Sequence, residues 1–251
     1  MKEDNYSKTA RTYPAVITTF SFVIIIIMIS NNSVFILQKI KEFEGILQIF
    51  SANIIFRFLA KILPWGLIAS ISFASLFMFV KLLIRDIGKL FPEDFVKNLF
   101  SMPTTQLLFI NNKTFSDSYK KQIFDKVKEE FKIDLKEIGN KTKNNQNYLI
   151  EVDEAVALIR ERTRGNDILF DFNKIYGFWR NLTGGLFLDI IILLFLLIID
   201  FCLKNVCFLT AYQYRYCFIV LITFDFISFA LTVKNGFRYA KQLYFVFLEK
   251  E

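Results

Sequence analysis

The 251-residue sequence contains no histidine. Histidine is the commonest general base and metal ligand, and its charge changes near neutral pH. Ser-His-Asp and Cys-His mechanisms are therefore excluded, as are ribonuclease mechanisms and zinc sites that need an imidazole. Because no other catalytic constellation stands out, we predict a protein that is not an enzyme and that has no cofactor and no metal site.

Cysteine is scarce as well. The three cysteines, Cys202, Cys207 and Cys217, surround the turn between the last two apolar runs. Their spacing matches no zinc or redox motif and favours apolar filling near a helix end. A Cys207–Cys217 disulfide is the alternative if this turn faces an oxidising compartment.

Apolar residues, by contrast, make up 54% of the chain, and the mean hydropathy is +0.38. Four apolar runs flank a polar block, two on each side: Ala15–Ser30, Ile62–Val80, Gly185–Leu203 and Tyr216–Val233. Each has about the length that crosses a bilayer core as a helix. The pattern predicts an α-helical integral membrane protein, with two transmembrane helical hairpins flanking a mainly α cytoplasmic domain.

The predicted domains are residues 1–85, 86–183 and 184–251. The first is an N-terminal transmembrane hairpin, and its first run is read as a retained signal anchor because no small-residue cleavage site follows it. The stretch Val34–Ala60 has apolar residues at three- and four-residue steps, which favours an amphipathic interfacial helix. A re-entrant segment, or an extension of the second span kinked at Pro64, is the alternative. The last domain is the second hairpin with a short cytoplasmic tail.

The distribution of Lys and Arg predicts the orientation of the chain in the membrane. Basic residues lie beside the membrane on the side shared by the termini and the polar block: Lys81, Arg85, Lys89, Arg180, Lys234 and Arg238. The first loop on the other side is also basic, through Lys39, Lys41, Arg57 and Lys61. On balance the positive-inside rule places both termini and the polar block in the cytoplasm.

Helical patterns dominate the cytoplasmic block. Ser116 is a predicted N-cap for a helix to about Phe131, with an apolar stripe at four-residue steps. A second stripe predicts a helix ending near Gly165, and a third leads to Gly184. Leu107–Ile110 fits either a buried strand or a helix. The predicted core contains Ile123, Val127, Val156, Ile159 and Phe172.

Three carboxylates fall within the predicted spans: Asp189 and Asp200 near opposite ends of the third, and Asp225 in the fourth. Asp225 lies near the middle of the fourth span, where a charge costs on the order of 3 kcal/mol. Such a residue lines a pore or seals a helix contact, and both roles stay open. Asp189 lies near an end of the third span, from which its side chain can reach polar headgroups.

Candidate anion- or ligand-binding residues are Arg160 and Arg164, which share one face of a helix while Arg162 points away. Guanidinium groups bind phosphate, as in nucleotides or anionic lipid headgroups. Favourable cations at a helix C-terminus are the alternative explanation. No glycine-rich phosphate loop accompanies them.

The segment before the third span contains candidate interface-coupling residues. They are Tyr176, Trp179, Arg180, Gly184 and Gly185. Aromatic rings and cations anchor at headgroup level, which is the simpler explanation. The functional hypothesis is an elbow at the glycine pair that passes motion of the cytoplasmic domain into the third span.

Several short motifs occur between residues 86 and 203: Pro103-Thr104-Thr105, Glu154-Ala155-Val156 with Arg160, Tyr176-Gly177-Phe178, Arg180-Asn181-Leu182 and Gly184-Gly185. Their combination resembles a set of uncharacterised bacterial four-span membrane proteins. The plan is also similar to that of bacterial antiphage membrane effectors, which join a few helices to a cytoplasmic sensing domain. The resemblance implies a bacterial inner-membrane location and antiviral defence, and it assigns no functional residue.

The leading hypothesis is an oligomeric inner-membrane protein that forms a pore or perturbs the membrane under control of its cytoplasmic domain. That domain would sense a small anionic ligand or a cytoplasmic protein partner. The alternative is a small transporter or transporter-associated subunit, although the two halves show no repeat. A lipid-modifying enzyme is a third hypothesis, without a nucleophile or acidic cluster to support it. The expected partners are the lipid bilayer and further copies of the chain, and no nucleic acid is expected.

Overall fold

The computed structural model describes residues 5–19, 65–90, 101–109, 112–135, 146–203 and 209–250, and these contain helices and turns but no strand. The predicted all-α fold class is therefore confirmed for this part of the chain. A π-helical segment, Ser7–Thr12, comes first. The helices that follow are α1 (Trp65–Gly88), α2 (Pro103–Leu108), α3 (Asp117–Phe131), α4 (Gln146–Arg162), α5 (Asp167–Leu203) and α6 (Ala211–Glu249).

Among the described residues, the two helices α5 and α6 are long and apolar enough to cross a membrane. They contain the predicted third and fourth spans. In their most apolar windows only 33% and 22% of the residues are buried. The core helix of a soluble protein would be mostly covered, so this exposed apolar surface favours contact with lipid.

The chain divides into two compact units. The polar unit consists of Met1–Ala10, Lys89–Arg180 and Ser228–Glu251, and the apolar unit of Arg11–Gly88 and Asn181–Ile227. The sequence predicts domain boundaries after residues 85 and 183, and the two units divide the chain after Gly88 and Arg180. The residues after Val233 differ from the predicted short tail, because α6 continues through them to Glu249 as part of the polar unit.

Helix α3 of the polar unit begins, packs and ends as its local sequence predicts. Ser116 Oγ accepts a hydrogen bond from Tyr119 N at 3.3 Å, so the predicted N-cap is confirmed. Ile123 and Val127 are fully buried, as the stripe predicts. The helix ends at Phe131, and Lys132 follows it with φ 62, a left-handed conformation typical of helix ends.

The core of the polar unit joins α2, α3, α4 and the ends of α5 and α6. Its members are Leu107, Leu108, Phe115, Ile123, Phe124, Val127, Leu135, Val152, Ala155, Val156, Ile159, Leu169, Ala240, Leu243, Tyr244 and Phe247. Four of the five predicted core residues belong to it, whereas Phe172 is half-buried. Leu107 and Leu108 lie in α2, so the helix is confirmed for these two residues of the run, whereas Phe109 is extended and Ile110 lies outside the described residues.

The turn between α4 and α5 is short and well capped. Thr163 Oγ1 donates to Ile159 O at 2.8 Å at the end of α4. Gly165 follows with φ 90, a conformation that residues with a side chain rarely adopt. Asn166 Oδ1 then accepts from Leu169 N at 3.0 Å and caps α5. The sequence predicts the helix end here, and the structure places it at Arg162.

Lys120 is a buried charge that the sequence pattern did not reveal. It is 4% exposed, and its Nζ donates to Phe109 O at 2.8 Å and to Asn112 O. Burial lowers the pKa of this ammonium group, and the nearby Asp117 carboxylate partly opposes the shift. The side chain therefore satisfies carbonyl groups in the loop before α3.

In the apolar unit, α6 begins with a reciprocal cap. Thr210 Oγ1 accepts from Gln213 N at 3.2 Å, and Gln213 Oε1 accepts from Thr210 N at 2.8 Å. One turn later Tyr214 OH donates to Asp200 Oδ2 of α5 at 2.6 Å. Cys217 is buried in α6, and Cys207, its partner in the alternative disulfide, lies outside the described residues.

Several sequence predictions lie outside the described residues. They are the segment 34–60, the start of the second predicted span at residues 62–64, Cys207 and most of the first predicted span.

Candidate functional site

The polar unit contains a cavity of about 360 Å³ that we call the cationic cavity. Its polar lining comes from four helices: Thr104 of α2, Arg160 of α4, Asn173, Tyr176 and Arg180 of α5, and Tyr239 of α6. The volume lies within the range of small-molecule sites. None of the residues that line it in the described part of the chain is acidic.

Contacts within the lining hold the side chains in place. Arg160 Nη2 donates to Thr104 Oγ1 at 3.3 Å. The Arg180 guanidinium carbon lies 5.8 Å from the centre of the Tyr176 ring, a cation–π distance. The Tyr176 and Tyr239 rings are stacked, with centroids 6.4 Å apart and planes at 16°. The two arginines are thus positioned by hydroxyl and aromatic neighbours.

Gly236 allows α6 to approach this site. A Cβ atom at Gly236 would lie 3.2 Å from Pro103 Cγ and 3.3 Å from Tyr176 Cε2. Tyr244, two turns later on α6, donates its hydroxyl to Thr104 O at 2.7 Å. These contacts hold α6 against α2, which contains Thr104, and against the Tyr176 ring, over which the Arg180 guanidinium lies.

A second cavity of about 370 Å³ lies at the turn between α4 and α5, and we call it the turn cavity. Arg160 and Arg164 line it together with Glu161 and Asp167. Arg164 Nη1 pairs with Glu161 Oε1 at 3.2 Å, and both side chains are exposed. The cations and carboxylates in its lining are therefore balanced, unlike those of the cationic cavity.

The predicted pairing of Arg160 with Arg164 is thus only part of the arrangement. The structure brings Arg160 together with Tyr176 and Arg180, which the sequence singled out for a different role. Trp179 does not line the cavity and packs edge-on against Phe178, with ring centroids 5.1 Å apart. Arg162 points elsewhere, as predicted, and its Nε donates to Glu130 Oε2 at 3.2 Å.

The predicted elbow at Gly184 and Gly185 is not observed, because α5 runs without a break from Asp167 to Leu203. Within the apolar unit these glycines permit close contact instead. A Cβ at Gly184 would lie 2.5 Å from Gly88 N and 2.7 Å from Ile84 O of α1. A Cβ at Gly185 would collide with the Thr18 side chain.

Asp189 and Asp225, the two candidate carboxylates of the apolar unit, are partly or fully covered. Asp189 is 3% exposed, so its expected reach to headgroups is wrong. Asp225 is half-buried. Asp189 Oδ2 and Asp225 Oδ1 are buried atoms with no hydrogen-bond partner among the described residues. A buried carboxylate oxygen without a partner is costly, which marks both positions as functional candidates.

Thr104, Asn173 and Tyr239 complete the cationic cavity and were not predicted as site residues. Of these three, only Thr104 stands within a motif that the sequence singled out, and no local signal connects Asn173 or Tyr239 to it. Among the described residues, no group of three or more His, Cys, Asp or Glu side chains could hold a metal ion.

Comparisons with protein-family models, with curated proteins and with solved structures find no match to this chain.

Proposed function

We propose that this chain is an oligomeric membrane protein that forms a pore or perturbs the membrane under control of its cytoplasmic, polar unit. The proposal rests on one observation: each of the two long helices contains both a residue of the cationic cavity and a carboxylate in the apolar unit. Helix α5 contributes Arg180 to the cationic cavity and also carries Asp189, while α6 contributes Tyr239 and also carries Asp225. A ligand that contacts these helices differently in two states would shift the equilibrium between them.

The proposed location is the bacterial inner membrane, with four spans and both termini in the cytoplasm. The low burial of the apolar windows of α5 and α6 supports insertion, and the distribution of Lys and Arg supports the orientation. The similarity of the plan to antiphage membrane effectors supports a role in antiviral defence.

We expect reporter fusions after residue 140 to score as cytoplasmic and fusions after residue 205 as periplasmic. The reason is that the basic residues beside the membrane lie on the side of the polar block. Paired alkaline phosphatase and fluorescent protein fusions at each position measure this. A periplasmic score at residue 140 would reverse the proposed orientation.

Asp225 is the residue whose change tests the pore most directly. Asp225→Asn keeps the size of the side chain but removes the ionisable group, and Asp225→Leu also removes a cost of insertion on the order of 3 kcal/mol. If Asp225 lines the conducting path, both variants lower ion flux from proteoliposomes toward that of empty vesicles, while expression holds or rises. Purified full-length protein at equal density per vesicle gives the comparison.

The outcomes separate three roles. If Asn is tolerated and Leu disturbs the oligomer, Asp225 is a structural hydrogen-bonding residue at a helix contact. If both variants match the parent in flux and in oligomeric state, Asp225 has no role in function. No flux from the parent, with or without candidate ligands, contradicts the pore.

A small transporter or transporter-associated subunit is the second candidate. It is favoured by the same carboxylates, since intramembrane acidic residues serve as coupling-ion sites in transporters. Saturable uptake of a solute, in place of channel-like ion flux, would distinguish this candidate.

A further inference from the structure

The distribution of charge distinguishes the cationic cavity from its neighbour. Arg160 and Arg180 line it without a carboxylate among its described lining residues, so the wall carries two positive charges. The turn cavity shares Arg160 with it, but two carboxylates, Glu161 and Asp167, stand in that lining, and Glu161 pairs with Arg164. A dianion is therefore attracted to the cationic cavity and gains little in the turn cavity.

The neutral lining of the cationic cavity adds hydrogen-bond donors. Thr104 Oγ1 accepts from Arg160, which leaves the hydroxyl proton of Thr104 to be donated. Asn173, Tyr176 and Tyr239, whose side chains carry an amide and two phenolic hydroxyls, also line the cavity. Two planar guanidinium groups and several neutral groups offer more hydrogen-bond donors than one carboxylate can accept. They match the oxygens of a phosphate group.

We infer that the cationic cavity binds the phosphate group of a small phosphorylated ligand between Arg160 and Arg180. This site names the class of ligand that the polar unit senses. The effect of that ligand on the membrane rests on the proposed function. The ligand contacts α4, α5 and α6 at once, so its binding links the ends of both long helices to α4. Arg164, paired with Glu161, lies outside this site.

The phosphate can belong to a soluble ester, such as a nucleotide, or to a lipid headgroup. Two probes separate these sources: inorganic pyrophosphate, and dioctanoyl phosphatidic acid, which carries the phosphate on short acyl chains. Each is titrated by calorimetry into the full chain in nanodiscs of neutral phosphatidylcholine. We expect at least one probe to bind, and the one with the higher affinity identifies the source.

Variants locate the binding. We expect Arg160→Gln and Arg180→Gln each to weaken binding of that probe by about tenfold or more, because each removes a charge-assisted hydrogen bond. Arg160→Lys keeps the charge but loses the planar fork, so an intermediate loss is expected. Arg162→Gln is the matched control: it removes the same charge from the same helix, but its guanidinium pairs with Glu130 and lines neither cavity. Its affinity should stay within about twofold of the parent value.

Failure of the site and failure of the proposed function give different results. If neither probe binds the parent, or if Arg160→Gln and Arg162→Gln weaken binding equally, the site is wrong even where the protein conducts ions. If the probe binds as expected but does not alter flux from proteoliposomes, the site is right and ligand control of a pore is wrong. Unchanged melting temperatures of the free variants exclude general unfolding as the cause of lost binding.

Discussion

Gly184→Ala is expected to destabilise the apolar unit by about 3 kcal/mol or more, because the added methyl group has no space. Its Cβ would lie 2.5 Å from Gly88 N, 2.6 Å from Gly88 Cα and 2.7 Å from Ile84 O. These are backbone atoms of α1, which cannot turn aside as a flexible side chain can. Small residues at such positions let membrane helices approach closely, and dispersion contacts then stabilise the pair.

The direction of the stability change shows whether the position of Gly184 is crowded. At an uncrowded helical position, replacing glycine by alanine stabilises by about 0.5–1 kcal/mol. Thermal unfolding of the full chain in detergent, followed by circular dichroism, should show a melting temperature lower by roughly 10 °C for Gly184→Ala. Gly236→Ala is the comparison, because its Cβ would meet the side chains of Pro103 and Tyr176 at 3.2 and 3.3 Å. A Gly184→Ala protein that melts at or above the parent temperature would show that α1 and α5 do not touch there.

The fold of α3 could be predicted from sequence because its determinants are local. Ser116 caps the helix through an atom three residues away, and Ile123 and Val127 repeat at helical spacing. The end of α6 was missed although its pattern has the same character. Ala240, Leu243, Tyr244 and Phe247 repeat at three- and four-residue steps and are all fully buried. Interspersed cations, including Lys241, gave this segment the composition of a tail, and its partners on α2 and α3 are distant in sequence.

The candidate site illustrates the same limit. Arg160, Tyr176 and Arg180 were each singled out from sequence, but for phosphate binding in one case and membrane anchoring in the others. The tight turn at Gly165, followed by the cap at Asn166, starts α5 close to the end of α4. Tyr239 joins the site from α6, and its stacking on Tyr176 has no local signal. Residue spacing along a single helix therefore identified individual candidate residues of the site, but not the residues of other helices that lie beside them.

Val156→Asp is expected to unfold the polar unit. Val156 is 3% exposed and belongs to the apolar core of the polar unit, so a carboxylate there would be buried among apolar side chains. Breaking a core in this way costs several kcal/mol, which is a large part of the roughly 5–15 kcal/mol that stabilises a typical domain. Limited proteolysis of the full chain should then cleave within α3 and α4, where the parent resists under the same conditions.

Ile150→Asp is the matched control for this loss. It introduces the same charge on the same helix and also replaces a β-branched residue, but Ile150 is 54% exposed. Its carboxylate stays in water, so the protease resistance and melting temperature should remain close to those of the parent. Because the unfolded polar unit would also lose the lining of the cationic cavity, Val156→Asp should abolish binding of the phosphate probe while Ile150→Asp retains it. A Val156→Asp protein that stays folded and protease-resistant would show that α4 does not present this face to the core.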